Sequence, residues 1–131
     1  MILLDTHVLL WLAAEPARLS RAAASVIRRA LRSGGIAVAS VSLWEIAALF
    51  AKGRLRSRGT IEASLEAILK ATGVSVREIT PTIAALATQF PADFSPDPAD
   101  RLIVATARAE GLSLVTKDDR IRSSPLVKRV W

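Results

Sequence analysis

Residues 1–7 read MILLDTH, an apolar run that ends at a single acid, Asp5. The run Ile2–Leu4 has the length and the apolar character of a short buried β-strand. Asp5 is the first formally charged side chain of the sequence, and the next is Glu15. Burying a lone carboxylate beside an apolar strand costs free energy unless another group compensates its charge. These residues therefore predict a buried strand that ends at an acid whose charge another group must compensate.

Outward from this strand, short apolar segments alternate with amphipathic ones. Further strands are predicted at 36–39, 74–79, 112–115 and 127–130, and helices at 8–13, 20–32, 42–50, 60–72, from Pro81, and from Asp97 or Pro98 to Gly111. Strands separated by helices indicate an α/β fold of three layers, with a central, mainly parallel sheet of four to five strands flanked by helices. A length of 131 residues is typical of one domain, so residues 1–131 are expected to fold as a single unit.

The composition excludes several classes of protein. The chain is 51% hydrophobic, which favours a packed globular domain over a disordered one, and it has no cysteine. A disulfide framework and a thiolate metal site are therefore excluded, and a reducing, cytoplasmic location is expected. No positively charged segment precedes the first apolar run, so a signal peptide is not expected. The apolar stretch 33–51 contains Gly34, Gly35 and a central Glu45, which argue against a membrane span.

The charge balance is basic, with 18 Lys and Arg residues against 12 Asp and Glu residues and a net charge of +6. The segment 52–58 places Lys52, Arg54, Arg56 and Arg58 within one turn-forming stretch. Such cations suit a polyanion, because they bind phosphates while nearby acids bind a metal. Two alternatives stay open: solvated helix faces in a protein from a high-GC genome, or a surface that docks an acidic protein.

Four acids lie where helices and strands meet in this scheme. Asp5 follows the first predicted strand, and Asp118 lies just beyond the fourth strand. Glu45 is placed on the first turn of the helix that follows the second strand. Asp100 is placed on the first turn of the helix that precedes the fourth strand. Sites in parallel α/β sheets lie beyond the carboxyl ends of the strands. The four carboxylates are therefore expected to converge at one edge of the sheet.

Local structure offers other roles for Asp5 and Glu45. Asp5 could cap a following helix, a role that does not exclude metal binding. Glu45 could complete a capping box with Ser42 in the pattern S-x-x-E. The apolar neighbours Leu43, Trp44 and Ile46 nevertheless favour a functional role for Glu45.

The paired acids near residues 97 and 118 separate on similar grounds. Asp97 directly before Pro98 is typical of a helix N-cap followed by a proline at the first helical position. Asp100 then falls on the inward side of that helix and is the better candidate ligand. Of the two acids after Lys117, Asp118 is closer to the strand end, whereas Asp119 is expected to be a turn or cap residue.

Four segments together resemble the acidic motifs of PIN-domain nucleases: 4–7 (LDTH), 42–46 (SLWEI), 97–107 (DPADRLIVATA) and 114–118 (LVTKD). Their order and spacing fit over essentially the whole chain, and the resemblance is closest to VapC-like toxins of bacterial type II toxin–antitoxin modules. It implies an endoribonuclease dependent on Mg²⁺ or Mn²⁺, usually dimeric and neutralised by a cognate antitoxin. It also implies that Asp5, Glu45, Asp100 and Asp118 form the acidic quartet.

The resemblance further implies roles for individual side chains. Asp5, Asp100 and Asp118 are expected to bind the metal, and a metal-activated water would hydrolyse the RNA phosphodiester bond. Thr6 and Thr116 fall where the family often carries a hydroxyl near the site, and both are expected to contact the substrate, together with Lys52, Arg54 and Arg56 of the basic segment. His7, the single histidine, is expected to form hydrogen bonds rather than to act as a base.

Three rival functions remain at this point. The first is a PIN-like RNA-processing nuclease outside a toxin–antitoxin pair. The second is a phosphatase of the haloacid dehalogenase type, which also starts from an Asp after the first strand but requires an acid where His7 stands. The third is a silent RNA- or protein-binding module. Trp11, Trp44 and Trp131 are expected to be packing residues in any of these proteins.

Overall fold

The computed structural model describes residues 1–122 and 124–131. Within these residues, five strands form one sheet in the order β3-β2-β1-β4-β5, and every neighbouring pair is parallel. The strands are β1 (Ile2–Leu4), β2 (Ile36–Ala39), β3 (Ser75–Arg77), β4 (Ser113–Val115) and β5 (Arg129–Val130). The central strand is β1, in which Leu4 pairs with Val38 on one side and Val115 on the other. The predicted parallel α/β sheet is confirmed.

Helices connect the strands. They are α1 (Thr6–Ala14), α2 (Arg21–Arg32), α3 (Ser40–Ala51), α4 (Ile61–Thr72), α5 (Pro81–Thr88), α6 (Pro98–Glu110) and the short α7 (Asp119–Arg122), and a 3₁₀ turn, Pro16–Arg18, follows α1. Helix α7 was not predicted from the sequence. None of the helices in the described parts of the chain is long and apolar enough to cross a membrane.

Helices pack on both faces of the sheet and form a hydrophobic core on each. Leu3 of β1 packs with Ile103 of α6 on one face, and the next residue, Leu4, packs with Val8 of α1 and Ile27 of α2 on the other. Consecutive side chains of a strand point to opposite faces, so a strand buried on both sides must be apolar at every position. This requirement explains the uninterrupted apolar run of β1 and the three-layer arrangement.

Several helix ends follow the predicted capping chemistry. The Ser20 hydroxyl accepts a hydrogen bond from the Ala23 backbone N–H at 3.0 Å, and the Asp97 carboxylate accepts one from the Ala99 N–H at 2.9 Å. Gly111 ends α6 with a φ of 66°, a left-handed conformation that glycine adopts without strain. The predicted caps at Ser20 and Asp97 are therefore confirmed.

Three details of the predicted elements are wrong. Helix α3 begins at Ser40, so Ser42 lies inside the helix and does not cap it. The sequence spacing groups Ala24, Ile27 and Leu31 on one face of α2, but the buried residues of this helix are Ala23, Ile27 and Ala30, and Leu31 is 53% exposed. Strands β3 and β5 are shorter than the predicted segments 74–79 and 127–130.

The strand order places a crevice next to β1. The chain proceeds from β1 to β2 and β3 on one side of the sheet and then returns to β4 on the other side of β1. In open parallel sheets, such a reversal leaves a crevice beyond the carboxyl ends of the strands on its two sides. The crevice of this sheet is therefore bounded by the residues that follow β1 and β4.

Shortening a central core side chain should destabilise the fold far more than shortening an exposed one. Leu3 is fully buried, so Leu3→Ala should lower the free energy of unfolding by roughly 2–5 kcal/mol. The matched control, Leu31→Ala, should change it by less than about 0.5 kcal/mol. Urea denaturation measures both values, and similar losses in the two variants would contradict the described core.

Candidate active site

Asp5 lies at the carboxyl end of β1, where it also caps α1. Its Oδ1 accepts a hydrogen bond from the Thr6 backbone N–H at 2.8 Å, and its Oδ2 accepts one from the Thr116 hydroxyl at 2.6 Å. Thr116 directly follows β4, so this second bond joins the ends of two neighbouring strands. Capping and a place in the acidic site thus coexist in Asp5.

Glu45 approaches Asp5 from α3. Glu45 was predicted on the first turn of this helix. Because α3 begins at Ser40, it lies on the second turn instead. Its Oε1 accepts a hydrogen bond from the Thr6 hydroxyl at 2.5 Å, and the fully buried Ser42 hydroxyl lies 2.7 Å from the same Thr6 oxygen. Thr6 has one hydroxyl hydrogen, so Ser42 donates to Thr6 when Thr6 donates to Glu45. Ser42 thereby positions the acid instead of capping the helix.

Asp100 occupies the third position of α6, as predicted. Its side chain is buried, and its Oδ2 accepts a hydrogen bond from the Ser95 hydroxyl at 2.6 Å. Asp97 caps the same helix, as expected, and Asp100 has the inward position that the sequence predicts for it. Ser95 was not singled out from the sequence, because it lies five residues away in a loop without a recognisable motif.

Asp118 and Arg120 close the other side of the crevice. The Asp118 backbone N–H donates to the Thr116 hydroxyl at 3.0 Å. The Arg120 Nη2 lies 3.1 Å from Asp118 Oδ2 and 3.3 Å from Asp100 Oδ2. A single guanidinium therefore bridges two of the predicted site acids. Arg120 went unnoticed in the sequence because the geometry that brings it to Asp100 is tertiary.

The four acids form a connected group, which we call the acidic cluster (Asp5, Glu45, Asp100 and Asp118). Thr6 links Asp5 to Glu45, Thr116 links Asp5 to the backbone of Asp118, and Arg120 links Asp118 to Asp100. The structure thus brings together all four acids predicted from the sequence.

Burial raises the pKa of three members of the acidic cluster. It is the largest cause for Asp5, Glu45 and Asp100, and each is raised further by the charge of a neighbouring acid. Hydrogen bonds from Thr116, Thr6 and Ser95, respectively, act in the opposite direction on these three pKa values. The ionised cluster is therefore electrostatically unfavourable and would be stabilised by added positive charge.

The chemistry of the donors fits a hard divalent cation. All are carboxylate oxygens, and Mg²⁺ commonly takes one or two carboxylates directly and keeps several waters. Arg120 shows that Asp100 and Asp118 already attract a cation to the space between them. Among residues 1–122 and 124–131, no three acids are placed so that all could ligate one ion directly. A cation bound here by fewer than three of these carboxylates would complete its coordination with water.

Two cavities flank His7 at the acidic cluster. The larger, about 470 Å³, is lined by Asp5, Asp118, Trp11, Arg18 and Lys117 among others. The smaller, about 180 Å³, is lined by Glu45, Trp44 and Lys52 among others. Trp44 is 69% exposed, so its expected role as a packing residue is wrong. Trp11, Arg18 and Lys117 were not identified as site residues, because they are far apart in sequence and match no motif.

The basic segment 52–58 divides between two places. Lys52 lines the smaller cavity next to Glu45. Arg56 lines a separate, largely apolar cavity between α1 and α4, and Arg54 is exposed in the turn after α3. The structure thus brings Lys52 to the acidic cluster but leaves Arg54 and Arg56 outside the two flanking cavities.

Comparison with known proteins decides the family. The family model described as "PIN domain" matches residues 2–125. The chain belongs to the PIN-domain family. It is 43% identical over 132 aligned residues to "Ribonuclease VapC22" from Mycobacterium tuberculosis, with 99% of this chain and 98% of that protein covered. This PIN-domain chain is therefore also a relative of the VapC ribonucleases, and the haloacid dehalogenase alternative is wrong.

Solved structures agree with the PIN-domain fold. VapBC2 from Rickettsia felis, solved with a DNA fragment from its promoter, matches with a TM-score of 0.74 and 15% identity over 98% of this chain and 97% of that chain. DNA-bound VapBC from Salmonella typhimurium matches with a TM-score of 0.70 and 19% identity, again over 98% of this chain and 97% of that chain. At these identities the matches establish the fold alone.

The raised pKa values predict how the stability of this PIN domain depends on pH. In the window from about pH 4, the ordinary carboxylate value, up to the raised values, the folded protein binds more protons than the unfolded chain. The contribution of these acids to the stability of the fold is therefore fully present below their ordinary pKa values. It is lost as pH rises through their raised pKa values in the folded protein. Asp5→Asn should make this loss smaller, as measured by thermal melting without metal across the window.

A matched control for this experiment is Glu66→Gln, an exposed acid on α4. It should keep the pH dependence of the unaltered protein. If Asp5→Asn left the melting temperature with the same pH dependence as the control, the burial of an unfavourable Asp5 charge would be contradicted.

Proposed function

We propose that this protein is the ribonuclease toxin of a toxin–antitoxin pair and hydrolyses RNA phosphodiester bonds with the help of Mg²⁺ or Mn²⁺. The observation that carries the proposal is the acidic cluster, which is joined by hydrogen bonds and flanked by basic, aromatic-lined cavities, in a chain 43% identical to Ribonuclease VapC22. Residues 1–131 would act as one PIN domain, and we place the activity in the cytoplasm.

The four acids would have different roles at the scissile phosphate. Asp5, Asp100 and Asp118 would hold the cation from three separate segments of the chain, in part through its bound waters, since no three acids of the described residues could all ligate one ion directly. Glu45 would orient an attacking water through its carboxylate, whose position is fixed by Thr6. When bound, a divalent cation supplies positive charge that activates water and stabilises charge on the phosphorus oxygens.

The two threonines have a more specific role in this proposal than substrate contact. The Thr6 hydroxyl donates to Glu45 and the Thr116 hydroxyl donates to Asp5, so both are occupied in positioning acids. Direct contact with RNA phosphates falls to cations, for which Lys52 is best placed beside Glu45. Arg54 and Arg56 would contact the strand further from the cleaved bond.

The proposed partners are an antitoxin and a second copy of this chain. Support for the antitoxin comes from the VapBC structures from Rickettsia felis and Salmonella typhimurium, and from VapBC-5 of Mycobacterium tuberculosis, a toxin–antitoxin system matched with a TM-score of 0.61 and 19% identity. A homodimer is proposed because VapC-like toxins are usually dimeric. Co-expression with the product of a neighbouring small gene, followed by size-exclusion chromatography, tests both partners.

Removing the Asp5 charge should abolish cleavage but not RNA binding. Asp5→Asn keeps an oxygen that can accept the Thr6 N–H bond, so the fold should persist while the cation site is lost. Gel assays of a structured RNA with Mg²⁺ or Mn²⁺ should show at least a roughly hundredfold slower rate, with the affinity for RNA retained. Glu66→Gln should cleave normally. Cleavage that survives Asp5→Asn, or survives EDTA, would reject the proposed reaction.

Divalent cations should stabilise the folded protein, because they bind the acidic cluster only when it is assembled. Millimolar Mg²⁺ or Mn²⁺ should raise the melting temperature of the unaltered protein, with little effect on Asp100→Asn. Arg120→Ala should enlarge the rise, since its guanidinium occupies the space between Asp100 and Asp118. A melting temperature unaffected by either ion would contradict the cation site.

A further inference from the structure

The larger cavity combines features that the acidic cluster does not explain. The guanidinium carbon of Arg18 lies 4.6 Å from the centroid of the Trp11 ring, and Lys117 Nζ lies 6.0 Å from the same centroid. Trp11 also stacks with His7, at 6.1 Å between ring centroids and 30° between planes. One indole is thus surrounded by two cations and a histidine at the edge of the cleavage site.

This arrangement exceeds what stability alone requires. Trp11 already packs against Trp131, with 5.6 Å between ring centroids, and against the core that contains Leu4 and Val8. Arg18 is 54% exposed, and its ion pair with Glu15 is long, at 3.9 Å, and lies on the surface. Exposed pairs of this kind contribute little to stability. Arg18 therefore keeps most of its capacity to donate hydrogen bonds to an anion.

The two cations also stand apart from the carboxylates nearby. Among the ion pairs of the described residues, neither Arg18 nor Lys117 pairs with Asp5 or Asp118, although all four line the cavity. Neither cation is therefore neutralised by an ion pair with these two acids. A ligand with a phosphate and an aromatic ring fits this cavity, because the phosphate can contact the cations and the ring can contact the Trp11–Arg18 pair.

We propose that this cavity is a subsite for one nucleotide of the RNA strand, adjacent to the phosphate that the acidic cluster cleaves. Arg18 and Lys117 bind the phosphate of this nucleotide, and its base stacks on the Trp11–Arg18 pair. Bases stack on aromatic rings and on guanidinium planes in single-stranded RNA recognition. The volume of about 470 Å³ lies within the range of small-ligand sites. The inference rests on the proposed ribonuclease function and adds a place where the substrate is held.

Charge-matched variants test the phosphate contacts. In an Asp100→Asn background, which should not cleave, anisotropy of a labelled single-stranded RNA measures affinity over a range of salt concentrations. Arg18→Ala and Lys117→Ala should each weaken binding roughly tenfold and lower the slope of log affinity against log salt by about 0.7. The controls are Arg32→Ala and Lys70→Ala, which remove the same charges near the ends of the helices that precede β2 and β3, at the opposite edge of the sheet. Their affinity for the RNA should stay within about twofold of that of the background protein.

The stacking contact is tested without relying on a protein variant that folds poorly. An RNA with one abasic nucleotide at the subsite position should bind the unaltered Trp11 site roughly tenfold more weakly than the intact RNA. Trp11→Leu should show the same loss with intact RNA and no further loss with the abasic RNA, since both remove one interaction. If the abasic RNA bound Trp11→Leu more weakly than the intact RNA did, Trp11 would not be the stacking partner of this base, and the inference would be overturned.

The outcomes separate this inference from the proposed function. If the unaltered protein cleaves RNA but Arg18→Ala and Lys117→Ala match their controls, the subsite is wrong and the nuclease stands. If affinity falls in Trp44→Ala but not in Trp11→Leu, the base stacks in the smaller cavity and the inference is overturned. If the unaltered protein neither binds nor cleaves RNA, the proposed function fails first.

Discussion

The compensated burial of the Asp5 carboxylate is the constraint on which the rest of the site depends. Asp5 ends the central strand of the sheet, where its charge is held by the Thr6 N–H and the Thr116 hydroxyl. The first of these bonds starts α1, and the second joins the ends of β1 and β4. The acid is therefore both a structural junction and the centre of the acidic cluster, and any shift in the sheet would move it.

The same burial creates an electrostatic cost that the protein reduces but does not remove. Hydrogen bonds lower the raised pKa values of Asp5, Glu45 and Asp100 only in part, and Arg120 places one positive charge between two of the acids. A group of acids that is unfavourable without a cation is well suited to bind one, because the free energy of repulsion is relieved on binding. In the proposed active site, stability and function are therefore opposed, as is common in enzymes.

Sequence reasoning succeeded where local chemistry specifies structure. The Asp97–Pro98 pair predicted the start of α6 and hence the inward position of Asp100, because capping depends on neighbouring residues alone. It failed for Ser42, whose spacing to Glu45 imitates a capping box, because the helix in fact begins at Ser40 and Ser42 bonds with Thr6 from another helix. It also failed for Trp44, since whether an aromatic side chain is covered depends on packing partners distant in sequence.

By itself, the sequence determined the parallel α/β fold, the four acids and the family, because strand periodicity, caps and motif order are properties of neighbouring residues. Only the tertiary structure decided which hydroxyls orient the acids, that Arg120 bridges Asp100 and Asp118, and that Arg18 and Lys117 meet at Trp11. The physical reason is that these contacts join side chains from separate elements, and their distances follow from how the helices pack on the sheet. The chemistry of the acids is therefore encoded locally, whereas the surface that surrounds them is a product of the fold.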